Sequence, residues 1–63
     1  MKSKWRVSEK NIAGKIFFEV YQLQDISAPD TRLNRIARGG CWSTRTEAEK
    51  LASKLNQEEG WDG

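Results

Sequence analysis

The chain contains no histidine, one cysteine and one proline among its 63 residues. A single cysteine excludes an intramolecular disulfide, so no oxidised cross-link holds this small fold. It also excludes a zinc site of the Cys/His kind, which needs three or four such ligands where only Cys41 is present. Without histidine, the usual base beside a nucleophilic thiol is missing, so Cys41 reads as a small buried hydrophobe. No metal set or paired-carboxylate site can be assembled from the acids, so neither an enzyme nor a cofactor is expected. Asp25 and Asp30 read as turn residues. No hydrophobic run reaches the length of a membrane span, and "MKSKWRVSEK" is not a signal peptide. A cytoplasmic protein with no membrane partner is the simplest expectation.

What is present suits one small domain. Charged residues make up 32% and hydrophobic ones 37%, the balance of a globule rather than of a disordered tail. The net charge of +2 divides unevenly along the chain. Residues 1–45 carry nine Lys/Arg against four acids, and residues 46–63 carry two against five. The basic excess therefore falls on the part that reads as strands, which is compatible with an anionic partner for a sheet.

Alternation of Trp5 and Val7 against Lys4, Arg6 and Ser8 predicts a half-buried strand over "KWRVSE". "NIAGK" (Asn11–Lys15) follows as a hairpin turn, with Asn11 and Gly14 suited to positive φ. "KIFFEVYQL" (Lys15–Leu23) is the strongest strand, with Ile16, Phe18 and Val20 on an apolar face and Phe17, Glu19 and Tyr21 on a mixed one. "QDISAPDTRLN" is a loop around Pro29. "RIARGGCW" (Arg35–Trp42) is a third strand whose apolar residues Ile36 and Cys41 have opposite parity. A bulge at Gly39–Gly40 would reconcile them.

Thr44-x-x-Glu47 is a capping box, and Ala48, Leu51, Ala52 and Leu55 follow at helical spacing. Arg45–Glu49 and Lys54–Glu58 are i,i+4 pairs, Asn56 belongs to the helix end, and Gly60 is the stop. The expected fold is α+β: a three-stranded antiparallel sheet packed on one face by a single C-terminal helix, β-β-β-α. It spans 1–59 with a short tail at 60–63, in which Trp61 is either loose or folded back. The expected core is Trp5, Val7, Ile16, Phe18, Val20, Ala48, Leu51 and Leu55.

One sheet face then carries no helix. It should display Lys4, Arg6, Phe17, Glu19, Tyr21 and one of Arg35 and Arg38, whose parities differ. Cations that neutralise phosphates beside aromatics suit a nucleic acid, although long charged side chains also make an ordinary solvated face. The glycine pair leads towards a helix N-terminus but lacks the G-x-G-x-x-G and Walker patterns, so it reads as a hinge.

The helix start "WSTRTEAEKLASKL" resembles that of small β-β-β-α modules, the arm-type, AP2-like DNA-binding domains of tyrosine recombinases. Those modules place the sheet in the major groove with the helix behind it, and the loop from Gln24 to Asn34 here is longer than their tight connection. The resemblance implies nucleic-acid contacts at Arg6, Tyr21, Arg35 and Arg38, to which the open-face reading adds Lys4. Most of the chain, "KWRV…FEVYQLQD…NRIARGG-CW…EAEKLASKLN", is also similar to a family of short uncharacterised proteins of low-GC Gram-positive bacteria and their mobile elements. The resulting expectation is a non-enzymatic module, monomeric or weakly dimeric, that binds duplex DNA through its sheet. The alternative is a protein-interaction module, such as a small phage or mobile-element inhibitor or accessory subunit.

Overall fold

In the computed structural model, which describes residues 1–61, β1 (Arg6–Ile12), β2 (Lys15–Leu23) and β3 (Arg35–Trp42) form one antiparallel sheet in the order β1-β2-β3. Helix α1 (Arg45–Glu58) packs on one face of it. The expected β-β-β-α fold is therefore the observed one. Residues 62 and 63 of the expected tail lie outside the described residues.

The hairpin turn is tighter than the sequence suggests. Ile12 pairs with Lys15, and Ala13 and Gly14 take φ of 52° and 83° between them. Positive φ at both central positions is the pattern whose twist matches a β-hairpin. Asn11 stays in β1, and its side-chain Oδ1 accepts the Gly14 amide at 3.2 Å. It is Ala13, not Asn11, that carries the left-handed backbone.

The glycine pair is the expected bulge, with a different consequence. Glu19 faces Cys41 and Val20 faces Arg38, so Gly39 and Gly40 are both inserted opposite a single step of β2. Two extra residues preserve parity, whereas one would reverse it. Trp42, opposite Phe18, therefore lies on the helix face with Ile36, and Cys41 is exposed rather than buried. Gly39, at φ 85°, lies so close to Leu51 and Trp42 that a Cβ there would meet Leu51 Cδ2 at 2.8 Å. A side chain at this position would be strained in the backbone and would make the end of the Leu51 side chain shift.

The core gathers Trp5, Val20, Ala48, Ala52 and Leu55, with Val7, Phe18, Ile36, Trp42 and Leu51 packed around them. Alanines at 48 and 52 let α1 approach the sheet closely. Ile16 was expected in this core but is 51% exposed. The reason is length: 14 helical residues span about 21 Å, whereas the nine of β2 span about 30 Å. β3 also ends opposite Phe18, so the hairpin tip overhangs both its neighbours.

The ends of α1 follow local chemistry. Thr44 Oγ1 accepts the Glu47 amide and donates to Glu47 Oε1, so the carboxylate returns to the hydroxyl of the cap. At the other end Gly60 takes φ 84°, with its amide on the Gln57 carbonyl and the Trp61 amide on the Asn56 carbonyl. That is the Schellman closure. Arg45 turns away from Glu49 to the sheet, where it stands 5.1 Å over the Phe18 ring and 3.7 Å from Glu9.

Two polar side chains on otherwise apolar faces hold the start of the chain. Asn56 is buried, accepts the Trp5 amide through Oδ1 at 2.6 Å and donates to the Trp5 carbonyl at 3.2 Å. Gln22, also buried, donates to the Ser3 carbonyl and to Glu59. Glu59 has its pKa lowered, first by the Trp5 indole, then by Gln22 and Trp61. The Trp5 indole N–H is buried and makes no well-formed hydrogen bond among the described residues, so its pull on that carboxylate is that of a nearby dipole.

Candidate nucleic-acid interface

The face of the sheet turned away from α1 is set by the registers of β2. Phe17, Glu19, Tyr21 and Leu23 alternate onto it; opposite them stand Lys10, Ser8 and Arg6 of β1, and Cys41, Ala37 and Arg35 of β3. Lys10, Glu19, Asp30, Arg32, Arg35 and Ala37 line a shallow groove there. Arg32 and Asp30 come from the connection between β2 and β3, which ends in a 3₁₀ turn at Arg32–Asn34. Asn34 secures that turn: its amide nitrogen reaches the carbonyls of Asp25 and Pro29, and its oxygen accepts the Asp25 amide.

Two acids each hold one cation on this face. Lys10 Nζ lies 2.8 Å from Glu19. Arg35 donates side-on to Asp30, Nε at 2.7 Å and Nη2 at 3.2 Å, while its guanidinium lies 4.0 Å above the Tyr21 ring. The Tyr21 hydroxyl completes the cluster at 3.4 Å from Asp30 Oδ2. Arg35 therefore roofs Tyr21, which is only 6% exposed despite belonging to the uncovered face. A cation–π contact and two charge-assisted hydrogen bonds thus hold the same guanidinium.

Asp30 thus acts beyond turn chemistry, whereas the Asp25 carboxylate accepts the amide and hydroxyl of Ser27 in a local turn and lies 3.7 Å from the amino group of Met1. The Arg35 hydrogen bonds hold the Asp30 carboxyl below its ordinary range, and the charge of Arg6 adds to this. A depressed carboxyl stabilises the fold above its unfolded-state pKa, and that contribution is lost as pH falls through the lowered value. Arg6 and Arg32 make no ion pair among the described residues.

The five residues expected at the interface separate. Arg6, Tyr21 and Arg35 are brought together on the open face. Arg38 lies opposite Val20, on the face that carries α1, where it is exposed. Lys4 precedes β1 and lines a second shallow groove between that strand and the helix, beside Arg45 and Glu49; Arg6, on the edge strand, borders this groove as well. Lys10, Arg32 and Asp30 are the members that sequence reasoning missed. Lys10 was hidden because β1 runs to Ile12, three residues past its expected end. Among the described residues, no three side chains of the His, Cys, Asp or Glu kind converge on a point that a metal ion could occupy, and none of their helices is long and apolar enough to cross a membrane. Comparison with family models, with curated proteins and with solved structures matched the chain to none of them.

Proposed function

We propose that the protein is a binding module for duplex DNA and that the uncovered sheet face is its contact surface. The observation that supports this reading most directly is the set of four cations, Arg6, Lys10, Arg32 and Arg35, on a face with no helix over it. The free charges of Arg6 and Arg32 meet phosphates and release counterions, while the strands follow the groove. Tyr21 serves as the floor on which Arg35 rests and not as a platform for bases. Arg38 and Lys4 have no part in the contact surface of this reading.

A fluorescence anisotropy titration of a mixed-sequence duplex tests it. In the Arg6→Ala, Arg32→Ala double variant, affinity near 0.1 M salt should fall by about fiftyfold, and the plot of log affinity against log salt should flatten by about 1.8. Arg38→Ala should stay within about twofold of the parent, since its charge lies on the other face. Equal affinities for the parent and the double variant would end the proposal.

A further inference from the structure

On a surface that binds a polyanion, an acid is a cost. Asp30 is such an acid: it takes two N–H groups of Arg35, accepts the Tyr21 hydroxyl and stands within the field of Arg6. Its bond to Arg35 is bidentate and side-on, which adds geometric specificity to the charge-assisted contact. Arg35 is pinned from below by the Tyr21 ring at 4.0 Å, and so is held in place with its charge cancelled. Glu19 does the same to Lys10 with a single contact. Four cations therefore act as two until one of the acids is removed or outcompeted.

We infer that Asp30 is the residue that sets how strongly this face holds a polyanion, by keeping Arg35 in reserve. Guanidinium carries five N–H groups, and Asp30 occupies two of them, so a phosphate can meet the remaining edge of Arg35. It does so against the repulsion of the carboxylate. Generic phosphate contact is thereby weakened, while a ligand that offers a donor to Asp30 as well as acceptors to Arg35 loses nothing. The amino edge of a base supplies such a donor and the sugar–phosphate backbone of DNA does not. The carboxylate thus shifts the face from indiscriminate to selective binding. This inference rests on the duplex-DNA reading.

The test is a double-mutant cycle read by anisotropy with a mixed-sequence duplex of about 20 base pairs. Asp30→Asn keeps the shape of the side chain and removes its charge. It should bind about eightfold more tightly near 0.1 M salt, with a salt slope steeper by about 0.9, the contribution of one phosphate contact. Asp30→Glu, which retains the charge, should stay near the parent. In an Arg35→Gln background, Asp30→Asn should gain less than half as much on the logarithmic scale, because the cation it releases is gone. Circular dichroism melts of each variant establish that folded protein is being compared. Parent binding with no tightening in Asp30→Asn would overturn the inference alone, and weaker binding would make Asp30 a positioning group for Arg35 instead. Full gain in the Arg35→Gln background would also overturn it. No binding by the parent or any variant at low salt would remove the duplex-DNA reading, and this inference with it.

Discussion

Trp5→Ala should remove about a third or more of the stability of the fold. Trp5 lies five residues from the start of the chain yet is only 5% exposed, in the cluster with Val20, Ala48, Ala52 and Leu55. Truncating a buried aromatic to alanine costs about 3–5 kcal/mol through lost transfer energy and the cavity left behind. A domain of this length is stabilised by only about 3–9 kcal/mol in total, at the usual stability per residue. The two alanines of α1 are too short to collapse into the gap. Urea denaturation followed by far-ultraviolet circular dichroism should show the midpoint lowered by about a third or more at an unchanged slope. For comparison, Trp61→Ala, half-buried beyond the helix end and outside the core cluster, should lose less than about 1 kcal/mol. Similar losses in the two variants would mean that Trp5 is not the centre of the core.

The second large effect comes from a polar residue. Asn56→Ala removes the partner of both the Trp5 amide and the Trp5 carbonyl, two backbone groups held across 51 positions of sequence. An orphaned buried polar group costs about 1–3 kcal/mol, so the variant should lose about 2–4 kcal/mol in the same denaturation assay. Asn56→Leu should lose a comparable amount, since it restores volume but supplies neither donor nor acceptor. Hydrogen exchange gives the local readout: the Trp5 amide should lose its protection before the centre of β2 does. A Leu variant as stable as the parent would show that filling the site matters and the hydrogen bonds do not.

Both effects bear on how far the sequence alone can be read. Elements defined by local chemistry were legible. The capping box at Thr44, the positive-φ stop at Gly60 and the glycine bulge in β3 each depend on residues within a few positions of one another. The helix stripe and the apolar face of β2 gave the layer order. Where a polar residue broke a pattern, the signal was present but unread. Asn56 continues the four-residue spacing of Ala48 and Ala52, and Gln22 continues the alternation of Phe18 and Val20, so both point inwards. Their burial means that each must have a partner. Which partner it is depends on the tertiary path of residues 3–5, which spacing does not encode.

The site divides along the same line. Arg6, Tyr21 and Arg35 share a face because strand parity places them there, and parity is legible once register is known. The register of β3 depended on whether the bulge holds one residue or two, and that choice decides between Cys41 and Trp42 for the core. Asp30 was obscured for another reason. Its place beside Pro29 explains it locally as a turn residue, while its ion pair to Arg35 arises only when the connection folds back along β3. Lys10 lay beyond the expected end of a strand that in fact runs on into the overhanging hairpin.

The most direct test of the sheet as the binding face is a titration of mixed-sequence duplex DNA into isotopically labelled protein, following backbone amide shifts at low and moderate salt. The account predicts shifts at Arg6, Ser8, Lys10, Glu19, Tyr21, Arg32, Arg35 and Ala37 that fade as salt rises, with the solvent-exposed side of α1 unmoved. Shifts confined to α1, or none at low salt, would contradict it and turn the search to a protein partner.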